Sequence, residues 1–222
     1  YLLQIELRDA NYDYVIEEGL KLMNGAVGAT RDDLVRALAE SYFAKGDYSQ
    51  AIRYIVEYPA EKMGRQENYL HGYSLYRLAR YNDAIAPLRR VCGAQDALTQ
   101  NAAYHLGDCY LKIGGKAAAA DAFSQATATG EGYDESISRD ALLNYGRLKY
   151  ELGGGLFNEA TAVLQQYLER YPGSAQEAEV KQLLIASYYN SENYDAAYAA
   201  IKEYPNPDND IKAALQRVAL YR

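Results

Sequence analysis

The chain has 222 residues, 49% hydrophobic and 24% charged, with 30 Asp+Glu against 23 Lys+Arg for a net charge of −7. That balance argues against a nucleic-acid binder, which carries a basic face, and against a folded surface held to anionic lipid. No window of about 18 consecutive apolar residues is present, so no segment reads as a transmembrane helix.

Apolar residues recur at three- and four-residue spacing along the whole chain, and no two-residue alternation persists, so the chain reads as all-α. The periodicity predicts helices over 2–9, 12–24, 30–45, 48–58, 65–79, 81–92, 97–113, 116–129, 136–152, 156–171, 175–191, 194–204 and 208–221. Two of them stop early at Tyr58-Pro59 and Tyr204-Pro205, because proline lacks an N–H and disfavours helical geometry in the residue before it. A short motif recurs at the helix turns: Gly46-Asp47-Tyr48-Ser49-Gln50-Ala51, Ala79-Arg80-Tyr81-Asn82-Asp83-Ala84, Gly114-Gly115-Lys116-Ala117-Ala118-Ala119, Gly155-Leu156-Phe157-Asn158-Glu159-Ala160 and Glu192-Asn193-Tyr194-Asp195-Ala196-Ala197. A degenerate first copy ends at Val15. The copies end at 15, 51, 84, 119, 160 and 197, so the spacings are 36, 33, 35, 41 and 37. The longest contains insertions at Gly130-Glu131-Gly132-Tyr133 and Gly153-Gly154-Gly155.

A period near 34 with two helices per unit resembles the tetratricopeptide repeat (TPR) family. Leu106-Gly107, Tyr110, Gly114 and Ala119 form one nearly complete copy, and Leu38-Ala39, Tyr42, Gly46, Tyr48 and Ala51 another. Ile55, Leu88, Phe123, Leu164 and Ile201 each stand four residues after the motif alanine, and Tyr171-Pro172 closes one unit. The resemblance implies an all-α, right-handed superhelical solenoid of antiparallel helix pairs, with about five full repeats and partial repeats at both ends. Its units are 1–24, 29–60, 64–93, 97–130, 136–172, 175–205 and a partial 206–222, in one domain that reads as a fragment of a longer repeat protein. Ala39, Gly72, Gly107 and Gly146 on first helices, and Ala51, Ala84, Ala119, Ala160 and Ala197 on second helices, are expected at close crossings.

Little points to bond-making chemistry. His71 and His105 lie in different units, and neither has partners at metal-ligand spacing. Gly115-Lys116 fails as a phosphate loop, because that motif needs an earlier glycine where Tyr110 stands and a Ser or Thr where Ala117 stands. Cys92 and Cys109 read as two free, mostly buried thiols, with a single disulfide as the alternative in an extracytoplasmic setting. The chain is therefore expected to be non-catalytic, with no cofactor and no metal.

The resemblance further implies that first helices line a concave face that cradles a peptide or partner protein. The groove positions are then Phe43, Tyr69, Tyr73, Tyr76, Arg77, Tyr104, Asp108, Lys112, Arg147, Tyr150 and Tyr189, with Arg36, Glu40 and Leu143 on the same line. The chain holds 24 Tyr, 3 Phe and no Trp, and tyrosine suits interfaces by joining a large apolar face to a hydroxyl. Tyr42, Tyr110 and Tyr188 occupy the repeat's own structural place and are expected to pack helix on helix. The lysine- and asparagine-bearing clamp by which one TPR subtype grips chaperone tails is not reproduced. The expected function is a protein–protein interaction scaffold, and the units ending at Pro172 and Pro205 resemble TPR proteins of the bacterial cell envelope, which implies a periplasmic or outer-membrane-associated place. Two readings stand beside it: a regulatory or substrate-recruiting segment of a larger enzyme or sensor, and a glycan-binding surface. Self-association through the terminal helices is also expected.

Overall fold

A computed structural model describes residues 2–153, 157–203, 213 and 216–220, and among them every residue is in a helix, a turn or a loop. The chain divides into two compact units, Tyr1–Gly114 and Gly115–Arg222. The first holds α1 (Leu2–Arg8), α2 (Tyr12–Met23), α3 (Gly28–Ala44), α4 (Tyr48–Ile55), α5 (Arg65–Arg77), α6 (Tyr81–Val91) and α7 (Ala97–Lys112), with a single 3-10 turn at Ala60–Lys62. The second holds α8 (Lys116–Ala126), α9 (Glu135–Leu152), α10 (Phe157–Arg170), α11 (Glu177–Asn190) and α12 (Tyr194–Lys202). Residues 213 and 216–220 are helical again.

Within each unit consecutive helices pack in antiparallel pairs, and alternate helices also touch: α1 with α3, α3 with α5, α5 with α7, and α9 with α11. This is the layering of a helical solenoid, in which a helix pair buries its apolar stripe only by stacking on its neighbours. The close crossings fall where small residues stand. A Cβ on Gly72 would lie 2.7 Å from Leu88 Cγ, and one on Gly146 would lie 2.9 Å from Leu164 Cδ2. Ala39, Ala51, Ala84, Ala119, Ala160 and Ala197 are all fully buried, as are Ile55, Leu88, Phe123, Leu164 and Ile201 to within a few per cent.

One turn repeats from pair to pair. The last residue before the second helix's cap has a positive φ: Ala10 (59°), Gly46 (77°), Ala79 (57°), Gly114 (81°) and Glu192 (61°). The next residue caps the second helix with nearly constant dihedrals: Asn11 (−84°, 61°), Asp47 (−84°, 76°), Arg80 (−85°, 59°), Gly115 (−84°, 63°) and Asn193 (−84°, 68°). In four of these turns its amide donates five residues back: Asn11 N to the Glu6 carbonyl (2.8 Å), Asp47 N to Tyr42 (2.9 Å), Arg80 N to Leu75 (2.9 Å) and Asn193 N to Tyr188 (2.9 Å). These bonds satisfy carbonyls that a helix end would leave bare. Side-chain caps help at Asp47, Asp96, Asp134 and Asn193, whose oxygens accept from amides in the first turn.

Most predicted helices match to within two residues, and the exceptions have local causes. α4 stops at Ile55 rather than 58, because the chain tightens there: Glu57 N donates to Tyr54 O (2.9 Å) and Tyr58 N to Ile55 O (3.2 Å), ahead of Pro59. α8 stops at Ala126 rather than 129, where the Thr127 hydroxyl turns back to the Ser124 carbonyl (2.9 Å). The predicted helix 208–221 falls largely outside the described residues, as do Gly154-Gly155 and Tyr204-Pro205. Val218, in its described part, is fully buried with Ile185, Ala197 and Ile201.

Candidate functional site

The first unit gathers most of the predicted groove residues into one aromatic cluster. Tyr73, in the middle of α5, is its hub. Its ring lies 5.6 Å from Phe43, 5.9 Å from Tyr48, 5.6 Å from Tyr69, 6.0 Å from Tyr76 and 4.7 Å from His105. Tyr104 joins through His105 at 5.5 Å. Polar tips tie the rings together: Tyr76 donates to Asp108 Oδ2 (2.9 Å), and Arg77 Nη1 donates to the hydroxyls of Tyr48 (2.8 Å) and Tyr73 (3.2 Å). The Arg77 guanidinium also sits 4.6 Å from the Tyr48 ring centre, a cation–π contact. Phe43, Tyr69, Tyr73, Tyr76 and Tyr104 are all half-buried, and Arg77 and Lys112 are exposed.

Burial raises the Tyr69 hydroxyl pKa above its ordinary range, with Tyr73 and Tyr48 adding. Tyr76 is raised by burial and then by its bond to Asp108. Both hydroxyls therefore keep their protons near neutrality. His105 places Nδ1 2.7 Å from the Asn101 carbonyl. A carbonyl only accepts, so Nδ1 carries the proton. Burial lowers this imidazole's pKa, which keeps it neutral among the rings.

The candidates separate into two kinds. Phe43–Tyr48, Tyr76–Tyr81 and Tyr189–Tyr194 are edge-to-face pairs five residues apart, at 5.9, 5.9 and 5.7 Å. Tyr150–Phe157 repeats the arrangement at 6.0 Å. Each pair bridges the turn between a first helix and its second, so Phe43, Tyr76, Tyr150 and Tyr189 close the repeat whatever else they touch. Tyr69, Tyr73 and Tyr104 stand outside this device. Sequence reading missed Tyr48, Tyr81 and His105 as members of the cluster. Tyr48 and Tyr81 were visible as the motif tyrosines, and only the turn geometry brings them back onto the first helix.

Beside the cluster, α3, α5 and the start of α7, with the end of α4, form a half-open pocket of about 270 Å³ lined by Arg36, Glu40, Phe43, Ile55, Gln66, Glu67, Tyr69, Leu70 and Leu98. Arg36 Nη1 lies 3.2 Å from Glu40 Oε1 and 3.9 Å from Glu67 Oε1. Glu67 Oε2 accepts from the Gly64 amide (3.0 Å). Burial raises the Glu40 carboxyl pKa; Arg36 opposes that rise and Glu67 adds to it.

In the second unit the remaining candidates have separate engagements. Arg147 forks onto Glu179 at 2.7 and 2.6 Å, while Tyr150 and Tyr189 serve their turns. Leu143, placed on the groove line by sequence, is instead a core residue, buried with Leu142, Val163, Val180 and Leu184. The expected packing tyrosines do pack: Tyr42 stacks on Tyr54 at 5.6 Å, Tyr110 accepts from Arg89, and Tyr188 accepts from Gln165 (2.7 Å).

Both thiols are free, and burial pushes Cys109 up to about 12 and Cys92 upward, so neither is a ready nucleophile. Among the described residues no three His, Cys, Asp or Glu side chains are grouped to hold a metal, and no helix is long and apolar enough to cross a membrane.

Comparison with known proteins speaks to the fold. No curated protein matches the sequence. A crystal structure of MamA protein superposes with a TM-score of 0.55 at 20% identity, covering 86% of this chain and 95% of its own. That of a tetratricopeptide repeat protein from Parabacteroides merdae gives 0.53 at 14% identity, covering 99% of this chain and 87% of its own. Residues 140–174, from within α9 to just past α10, match the tetratricopeptide repeat family. That segment is similar to a tetratricopeptide repeat, and the chain as a whole has the fold of tetratricopeptide repeat proteins.

Proposed function

We propose that this chain is a protein-interaction scaffold whose first unit binds a segment of a partner protein across its tyrosine cluster. The observation that carries the reading is the set Tyr69, Tyr73 and Tyr104. These rings sit on first helices, are partly exposed, and lie outside the edge-to-face pairs that bridge the turns. Tyrosine gives a binding surface large contact area with little side-chain entropy to lose. The hydroxyl and guanidinium network around Tyr73 holds the rings in place before a partner arrives, which reduces the ordering cost of association. A partner segment suits the cluster, whose rings are spread over α3, α5 and α7. We further propose a bacterial envelope as its setting. Recovery of the protein from the cytosolic fraction of its source cells alone overturns that part.

The test is affinity capture from source-cell extract with the full chain. It compares wild type, Tyr69→Ala/Tyr104→Ala, and Tyr150→Ala, the last removing a turn-closing ring from the second unit. A partner held by wild type and Tyr150→Ala and lost by the double variant supports the reading. Equal capture by all three, with melting temperatures unchanged, overturns it. Hot-spot aromatics cost about 2 kcal/mol or more when truncated, so the loss should be at least tenfold.

A further inference from the structure

We propose that the pocket between α3, α5 and α7 receives a basic side chain, lysine or arginine, from the segment bound across the tyrosine cluster. The proposal rests on the interaction reading above and names the chemistry of the partner. Phe43 and Tyr69 line the pocket and also touch Tyr73, so an occupant would be continuous with a chain lying on the cluster. The volume of about 270 Å³ lies at the small end of ligand pockets, roughly 300–1,000 Å³, and leaves room for one side chain.

The walls and the charges both select. Phe43, Tyr69 and Leu98, backed by the buried Ile55 and Leu70, provide apolar surface for an aliphatic stem, which long basic side chains bury while their heads stay polar. Three charged groups face the space: Arg36, Glu40 and Glu67. Two carboxylates against one guanidinium leave one negative charge. Arg36 bonds Glu40 at 3.2 Å, but its contact to Glu67 is 3.9 Å and beyond hydrogen-bond reach. Glu67 is only 14% exposed and is held by the Gly64 amide, so the carboxylate arrangement is fixed before binding. A cation entering here gains a charge-assisted hydrogen bond and a tyrosine face, whereas an acidic side chain would meet two like charges. The chain's net charge of −7 favours encounter with a basic segment.

The experiment selects from a phage-displayed library of random 12-residue peptides on the full chain, then measures the enriched peptides by fluorescence anisotropy. Enrichment of Lys or Arg at one position beside apolar residues is expected. Replacing that residue by norleucine should weaken binding to wild type at least tenfold. On Glu40→Gln the same replacement should cost under threefold, because Arg36 then balances Glu67 and the pocket's net negative charge is gone. The norleucine comparison on wild type changes only the peptide, so it holds even if Glu40→Gln folds poorly. Peptides that lose affinity on Tyr69→Ala/Tyr104→Ala but show no basic preference overturn the pocket and leave the cluster reading standing. Peptides indifferent to the tyrosine variant, or no enrichment at all, overturn the cluster reading, and the pocket falls with it.

Discussion

Replacing Gly72 by alanine puts a methyl group where Leu88 already stands. The new Cβ would lie 2.7 Å from Leu88 Cγ, 3.0 Å from its Cδ2 and 3.0 Å from its backbone nitrogen. Carbon atoms in good contact sit about 3.5–4.0 Å apart, so the obstacle must retreat by roughly 1 Å. Leu88 is fully buried, and with its own backbone also in the way, a rotamer change cannot clear the space. The α5–α6 crossing must widen. Alanine regains about 1 kcal/mol of helix propensity over glycine, and overpacking costs about 1–3 kcal/mol. The expected balance is a net loss of about 1 kcal/mol. At Gly19 the nearest atom is Leu38 Cδ2 at 3.0 Å, the far end of a side chain, and Gly19→Ala is expected to be near neutral. Urea unfolding followed by far-ultraviolet circular dichroism separates the two. In a Leu88→Ala background the Gly72→Ala penalty should fall by at least half, as contacting residues couple by about 0.5–3 kcal/mol. A Gly72→Ala midpoint at or above wild type, or a penalty unchanged in that background, refutes the close-approach argument.

Tyr76→Phe removes the hydroxyl that donates to Asp108 at 2.9 Å and keeps the ring. The loss should be about 1–1.5 kcal/mol by urea midpoint, and no shift would mean the bond adds nothing to stability. Arg147→Lys breaks the two-pronged contact with Glu179; both side chains are partly exposed, so the cost should stay below about 1 kcal/mol and shrink in high salt. A larger loss would show the pair to be structural. Burial lowers the His105 pKa from its ordinary 6.5, so the unfolded chain takes up a proton first as acid is added. Its contribution is present above pH 6.5 and is lost as pH falls from there toward the lowered folded value. His71 is lowered too, so His105→Phe should flatten the acid fall in part. Identical slopes for wild type and variant between about pH 5 and 7 reject the assignment.

The helix pairs were legible because each one repeats a period-3.6 apolar stripe and the same turn motif, and the motif alanines and the residues four beyond them proved to be core. The site was legible only by register. Tyr69, Tyr104 and Leu143 hold the same place on successive first helices. The two tyrosines stay half-buried among other rings, whereas the leucine joins Val180 and Leu184 in the core. The edge-to-face pairs across the turns need the turn's dihedrals before residues five apart can be seen to touch. The pocket was illegible for another reason: Arg36 and Glu67 are far apart in sequence and meet only when α3 packs on α5.

The repeated left-handed turn has a consequence for how such chains are recognised. Gly46 and Gly114 adopt it at no steric cost, whereas Ala10, Ala79 and Glu192 adopt it with a side chain in place, at about 1–2 kcal/mol each. Helix packing therefore dictates the turn, and glycine only eases it. A repeat can lose its glycine and remain a repeat, so counting units by turn glycines overlooks every pair in which the fold has carried the strain instead.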